Sequence, residues 1–435
     1  MNTFKKKKVV NIAIIGLGNI GVSLYKYLTA NKNIIANKTN VVPNVIYVSA
    51  KNIRKNRNIK IPKNKWLKNY LEATKIKKID VVVELIGGSD GPAKKLVFEA
   101  LKNKKHVVTA NKALISKYGD KLSLIAEKNK CNLEFEAAVC GGVPIIRLIK
   151  EGLVANNINK IYGIFNGTSN FILSCMDRKN ITFDNAISLA QKLGYAESNP
   201  TSDINGEDVS AKLKILSSLC FNTFVNKNIY VEGIKDINQI DIINSNKLGY
   251  KIKLLGIAEK KDSKLTQKVY PCLVKKTSYI GSIDGVLNAV IISGNPVGQS
   301  IIQGEGAGPN PTTSALVSDI SSILRGNIKY PFTISSGKRK AIKFFSISNQ
   351  FYSAYMRLDV KDEHGILSNI TKIFSKNKVS IKRLIQNPIK TKKYSSVIII
   401  THKAKDSSLM NTIKQLSNKK YVLKKPRLIR IEEDL

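Results

Sequence analysis

The chain of 435 residues holds little of what builds metal centres or covalent crosslinks. Its three histidines, His106, His364 and His402, are scattered and make no ligand pattern. The five cysteines, Cys131, Cys140, Cys175, Cys220 and Cys272, are odd in number and widely spaced, with no C-x-x-C. That usage argues against a disulfide framework and a structural zinc site, and for a reducing, cytoplasmic setting. No apolar run approaches ~20 residues, so no membrane span is expected. Residues 1–8 are basic, but a strand follows with no small-residue cleavage site, so no secretory signal is expected. Acidic residues are also scarce, 31 against 72 basic, which leaves a net charge of +41. Such an excess invites a nucleic-acid partner. The lysines, however, run along the whole chain and accompany abundant Asn and Ile, the mark of AT-rich coding. No specific nucleic-acid partner is therefore expected, only weak polyanion binding at low salt.

What is present is a hydrophobic share of 43%, too high for a disordered chain, in a length that allows two or three domains. Near the start, Val9 to Ile15 reads as a strand and runs into G-x-G-x-x-G at Gly16, Gly18 and Gly21, with Asn19 and Ile20 between them. A helical pattern follows through Leu24, Tyr25 and Leu28. Strand, glycines and helix in that order form the dinucleotide fingerprint of a Rossmann-type parallel sheet. Gly16 permits the tight turn, Gly18 the approach of the pyrophosphate, and Gly21 the packing of helix on strand. A second strand, Val45 to Ala50, ends in Lys51, Asn52 and Arg54 with no carboxylate for a ribose hydroxyl. This suits a 2′-phosphate, so NADP is favoured over NAD. Ile79 to Gly88 reads as a buried strand, Pro92 to Lys102 as a helix and His106 to Thr109 as a further strand. Gly87, Gly88, Thr109, Ala110, Asn111 and Lys112 then occupy strand ends, where open α/β sheets bind ligands.

The densest polar stretch runs from Leu193 to Leu216. It begins as a loop rich in Gly, Asn, Pro, Thr and Asp and ends as a helix through Val209, Leu213 and Leu216. Asp208 and Lys212, four apart, share one helix face; alone, such a pair is ordinary surface chemistry. Glu197 and Asp203 sit in the loop before it. Carboxylates can hold an amine, and a lysine of lowered pKa can move a proton.

Here the sequence resembles the homoserine dehydrogenase family. Glu197, Pro200, Asp203, Gly206, Asp208 and Lys212 fall on the family's substrate signature; Asn199 stands where Asp is usual. Thr109-Ala110-Asn111-Lys112-Ala113-Leu114 matches a second signature, and Ile161 to Leu173, read as a strand entering a polar loop, matches a third. The resemblance implies that Lys112 sits between nicotinamide and substrate, that Lys212 exchanges the proton, that Asp208 positions substrate or water, and that Glu197, with Asp208 and Asp203, binds substrate. It implies a monovalent cation such as sodium on Glu136, Val139, Gly141 and Val143, in a glycine turn that would otherwise be a plain hinge. It also implies a return to the first domain near Gln303 to Ala315, where Gly308 would touch the cofactor. From Tyr352 the order strand, helix, strand, strand, helix, strand, with Asp362-x-x-Gly365-x-Leu367 in its first loop, resembles an ACT regulatory module and implies a threonine effector; the alternative is a ferredoxin-like module with another role.

The fold class expected is α/β. It comprises a Rossmann-type parallel-sheet domain (1–143), an α+β substrate and dimerisation domain (144–308), a return and linker (309–340), and a C-terminal βαββαβ, ACT-like domain (352–433). Residues 231–280 and 288–302 read as strand-rich, with one helix from Asn246 to Gly256. The function implied is a monofunctional, NAD(P)-dependent interconversion of L-homoserine and L-aspartate 4-semialdehyde, by a homodimer or homotetramer. Two alternatives stand: an oxidoreductase acting on another amino acid such as aspartate, and a non-enzymatic amino-acid sensor that binds nucleic acid.

Overall fold

The computed structural model describes residues 7–225, 228–388 and 394–435; residues 1–6 of the basic lead lie outside it. The chain forms two units, each of several chain segments. One gathers Met1–Phe165, Ala211–Lys227 and Asn288–Ile342; the other gathers Asn166–Ser210, Asn228–Leu287 and Lys343–Leu435.

The first unit is built on a five-stranded parallel sheet. In chain order it contains β1 (Lys8–Ile15), α1 (Asn19–Ala30), α2 (Lys32–Thr39), β2 (Val41–Ser49), α3 (Glu72–Lys75), β3 (Val81–Glu84), α4 (Pro92–Lys102), β4 (His106–Thr109), α5 (Lys112–Lys128) and β5 (Leu133–Glu134). The strand order is β2-β1-β3-β4-β5. Val81, Val82 and Val83 are all buried, although successive side chains point to opposite faces. Both faces are therefore covered, as a parallel sheet requires, and an unbroken apolar run is its sequence mark. The helix Pro309–Leu324 brings Leu316, Ile320 and Ile323 into the core that holds Ile12, Ile14, Leu24 and Leu28. Each such side chain contributes about 1.5–3 kcal/mol by leaving water. The order reverses between β1 and β3, and the crevice beyond the carboxyl ends of those strands is where such sheets bind ligands. This unit also holds a strand at Asn157–Ile164, antiparallel to Leu287–Asn295, with Gly298–Glu305 on the far side of the latter.

In the second unit a long hairpin, Tyr250–Lys261 with Lys264–Lys275, is antiparallel throughout. The strand Arg427–Ile431 lies parallel beside the second hairpin strand, with Arg430 opposite Cys272. Its other edge pairs with Phe351–Lys361, which is followed in the sheet by Tyr394–Thr401 and Ile381–Pro388. With the helices Ile366–Lys376 and Asp406–Ser417 this is a βαββαβ module whose sheet order is fourth, first, third, second.

Two local expectations change. The helix expected from Asn246 to Gly256 is displaced: the helix is Gln239–Lys247, and a strand starts at Tyr250. Asn238 and Asp241 form a capping box that fixes the helix start, and Gly249 at φ 84° ends it. The polar loop expected after Ile164 is instead the first turn of the helix Gly167–Lys179. The Asn166 side chain caps it, accepting from Ser169 N at 2.7 Å, which is why the run looked loop-like. Likewise Lys112 opens α5, where Asn111 caps by accepting from Leu114 N at 3.0 Å.

Candidate active site

The glycine fingerprint sits at the switch point. Gly16 has φ 110°, and a Cβ there would run into the Leu85 carbonyl, so no other residue fits that turn. Gly18 caps α1 with open space where a Cβ would stand, and it makes no side-chain capping hydrogen bond. Asn19 and Ile20 form the first turn of that helix. Free N–H groups and the helix dipole make this an anion site. A cavity of about 400 Å³ lies beside it, lined in part by Gly18, Asn19, Lys26, Lys55 and Arg57. A dinucleotide fits here: the turn has space for the pyrophosphate, and the cavity wall is cationic. Lys51, the sequence candidate for the 2′-phosphate, is exposed just beyond β2. Arg57 is the residue that sequence reading passed over. It donates Nε to the Leu17 carbonyl at 2.9 Å and Nη2 to the Asn52 carbonyl at 2.6 Å, which ties the post-β2 loop to the fingerprint. In a chain with 72 basic residues nothing singled it out.

The ends of β3 and β4 are joined by Glu84, another residue unremarked in the sequence. Its carboxylate accepts from Ile86 N at 2.8 Å, Gly87 N at 2.9 Å and Thr109 Oγ1 at 2.6 Å. Asn111 Nδ2 donates to the Gly88 carbonyl at 2.7 Å. Lys112 follows at the helix start, half-buried, on a frame with few loose atoms. The signal available was a carboxylate ending an apolar strand just before two glycines.

Glu136 is buried, and its carboxylate accepts from Ile146 N at 2.9 Å and Arg147 N at 2.7 Å. Burial pushes its pKa up to about 7 against those two bonds. Each oxygen keeps a lone pair for another partner. Cys140 and Gly141 have φ 54° and 34°, which turns the backbone of the 139–143 turn sharply. Gly142 N donates to the Glu305 carbonyl at 3.0 Å, so the turn lies against the segment that leads to Gly308. Gly308, at φ 113°, caps the helix Pro309–Leu324. Among the described residues no three His, Cys, Asp or Glu side chains converge as a metal cluster. A cation here would rest on one carboxylate and the carbonyls of Val139, Gly141 and Val143, which suits a hard alkali ion.

The helix Glu207–Phe221 carries both Asp208 and Lys212, each almost fully buried. In the first unit, Lys212 Nζ donates to the Phe165 carbonyl at 2.6 Å. In the second, Asn166 Nδ2 donates to Asp203 Oδ1 at 2.7 Å and to Asp208 Oδ2 at 2.9 Å. One asparagine therefore caps a helix through its oxygen and gathers two carboxylates through its nitrogen. Asn166 is the polar residue of this group that sequence reading left without a role. Glu197 is exposed, and its backbone carbonyl accepts from Gln191 Nε2 at 3.2 Å.

Comparison with known proteins finds relatives over nearly the whole chain. Residues 16–136 match the family model "Homoserine dehydrogenase, NAD binding domain", residues 144–321 match "Homoserine dehydrogenase", and residues 354–418 match "ACT domain". The glycine fingerprint therefore belongs to a nicotinamide-cofactor domain. The chain is 37% identical to homoserine dehydrogenase of Neisseria gonorrhoeae, covering 98% of this chain and 99% of that one. It is 36% identical to the Helicobacter pylori enzyme of that name, over 98% and 100%. Its fold is similar to the crystal structure of a homoserine dehydrogenase from Thiobacillus denitrificans, with TM-score 0.91 and 34% identity over 98% of this chain and 99% of that one. A hyperthermophilic archaeal homoserine dehydrogenase in complex with NADPH matches with TM-score 0.64 and 27% identity, over 74% of this chain and 100% of that one. With matching domains in sequence order and similarity from end to end, the chain belongs to the homoserine dehydrogenase family and is an oxidoreductase.

Proposed function

We propose that the chain interconverts L-homoserine and L-aspartate 4-semialdehyde with NADP in preference to NAD, using Lys212 as the proton-transfer group. The observation that carries this is a lysine buried on the same helix face as a carboxylate, its ammonium on the Phe165 carbonyl at 2.6 Å. A surface pair would be exposed; burial is what makes a lysine able to change its charge at moderate pH. NADPH, when bound, would supply a hydride to the aldehyde carbon. The carbonyl oxygen then gains negative charge and takes a proton from Lys212, which accepts it back in the oxidative direction. Lys112 stabilises the developing oxyanion and helps set the pKa of Lys212. Asp208 positions substrate or water, Glu197 takes the substrate ammonium, and Asp203 supports them.

On the cofactor side, Gly16, Gly18, Asn19, Ile20 and Gly21 cradle the pyrophosphate, Lys51 serves the 2′-phosphate, and Lys112 and Gly308 meet the nicotinamide end. The same reading places sodium or a similar ion on Glu136, Val139, Gly141 and Val143. It divides the chain at 143, 308, 340 and 352, and gives the C-terminal module threonine as its effector. It sets the enzyme in the cytoplasm, as a homodimer or homotetramer, in threonine, methionine and isoleucine biosynthesis. Among the described residues no helix is long and apolar enough to cross a membrane.

The test is Lys212→Ala, assayed as NADPH oxidation with aspartate semialdehyde, with and without threonine. We expect kcat to fall roughly 10²–10⁴-fold, the range for general acid–base groups. Near-normal turnover removes Lys212 from the mechanism. Glu197→Ala is expected to act on the KM for homoserine and to leave that for NADP alone.

A further inference from the structure

Within the first unit, the segment from Phe332 to Lys340 ties two helices together. One is α5, which begins at Lys112; the other is the helix Glu207–Phe221, which carries Lys212. Arg339 is the centre of the tie. Its guanidinium donates Nη2 to Asp120 Oδ1 on α5 at 2.6 Å and to Ser218 Oγ on the other helix at 2.6 Å. Nε and Nη2 also reach the Thr223 carbonyl, just past that helix, at 3.1 and 2.7 Å. The side chain is fully buried, and its Cζ lies 4.4 Å from the Phe332 ring centroid.

Neighbouring bonds repeat the pattern. Ser336 Oγ donates to Glu127 Oε1 of α5 at 2.7 Å, and Thr333 Oγ1 to the Leu219 carbonyl at 3.2 Å. Phe332 seats against Gly119 of α5, where any Cβ would lie 2.8 Å from the ring. Asp120 is about 12 Å along α5 from Lys112, and Ser218 about 9 Å along its helix from Lys212, at 1.5 Å per residue. Helices this short behave as rigid rods over two turns. A bond that fixes them to each other at one level fixes their other levels too.

We infer that Arg339 is a positioning residue for the reaction: by clamping Asp120 to Ser218 and Thr223, it sets the placement of Lys112 relative to Lys212. The inference rests on the reading of those lysines as the catalytic pair. Arg is suited to this because its planar fork reaches several acceptors at once, which a lysine ammonium on a flexible stem does not.

The test compares Arg339→Lys with the parent in the homoserine-oxidising direction, measuring kcat, the KM for NADP, the pH dependence of kcat and the melting temperature. Asp120→Asn, isosteric and without the charge, carries the same measurements if the first variant does not fold. Because small misplacements of reacting groups are costly, kcat is expected to fall roughly ten-fold. The KM for NADP is expected to stay within about two-fold, since the fingerprint is untouched. The pH midpoint of kcat is expected to rise, because the Lys112 cation then acts less on Lys212. A lowered melting temperature with kcat and midpoint unchanged makes Arg339 a structural strut only and overturns the inference. Failure of the catalytic pair itself shows separately, as near-normal turnover in Lys212→Ala.

Discussion

The two sheets hold charge in opposite ways. In the parallel sheet of the first unit the buried strands are apolar, and buried charge enters only at strand ends, through Glu84 and Glu134. In the sheet of the second unit full charges lie within the strands themselves: Lys253, Lys268, Arg357, Asp359 and Arg430 are all buried. Each has a partner from elsewhere in the sequence or the next pleat. Arg430 Nε meets Asp406 Oδ1 at 2.7 Å, Arg357 Nε meets Asp241 Oδ1 at 2.7 Å, and Lys268 Nζ meets Glu432 Oε1 at 2.9 Å. Lys253 reaches Asp284 at 2.8 Å. One sheet is held by burial that any apolar side chain of the right size supplies. The other is held by specific pairs, which discriminate strongly between a correct and a wrong partner, because an unpaired buried charge is costly.

The largest effect is expected where a pair is broken. Arg430→Ala leaves Asp406 buried and uncompensated, and should cost about 3–5 kcal/mol in chemical denaturation. An intermediate effect is expected at Asp284. Burial would raise its pKa, but Lys251 and Lys253 together hold it well below its ordinary 3.8. A depressed carboxylate contributes stability that is complete above the unfolded value and is lost as pH falls through the folded one. Asp284→Asn should therefore cost about 1.5–3 kcal/mol at neutral pH. It should also flatten the parent's loss of stability below about pH 4, as read by melts across an acid series. The smallest effect belongs to the parallel sheet: Ile14→Val should cost about 0.5–1.5 kcal/mol. If Arg430→Ala costs no more than Ile14→Val, the contrast between the sheets is lost.

That contrast also explains what could be read before the structure. The unbroken run at Val81 to Val83 and the glycines after Ile15 announce a covered parallel strand and a cofactor turn, because both are local patterns. The helix Pro92–Lys102 and the strand His106–Thr109 coincide with the expected limits for the same reason. The shift at Tyr250 has a physical cause: the strand is buried on both faces, so its apolar residues give no period-two alternation. Candidates for the site were legible where signatures are contiguous, at Asn111-Lys112 and from Glu197 to Lys212, although the structure leaves Glu197 exposed. Asn166, Arg57 and Arg339 were not, because each acts through partners in distant or backbone positions, and a lysine-rich sequence hides an important cation among many.

The final strand, Arg427–Ile431, has Lys264–Lys275 on one side and Phe351–Lys361 on the other. A deletion from residue 427 onward would not simply shorten a tail. It would strip a central slat and bare two rows of unmatched N–H and C=O groups at once, each a template for another chain. Extensions would begin after Leu435, four residues past the strand's end at Ile431. Engineering of this end should therefore add residues and never trim them.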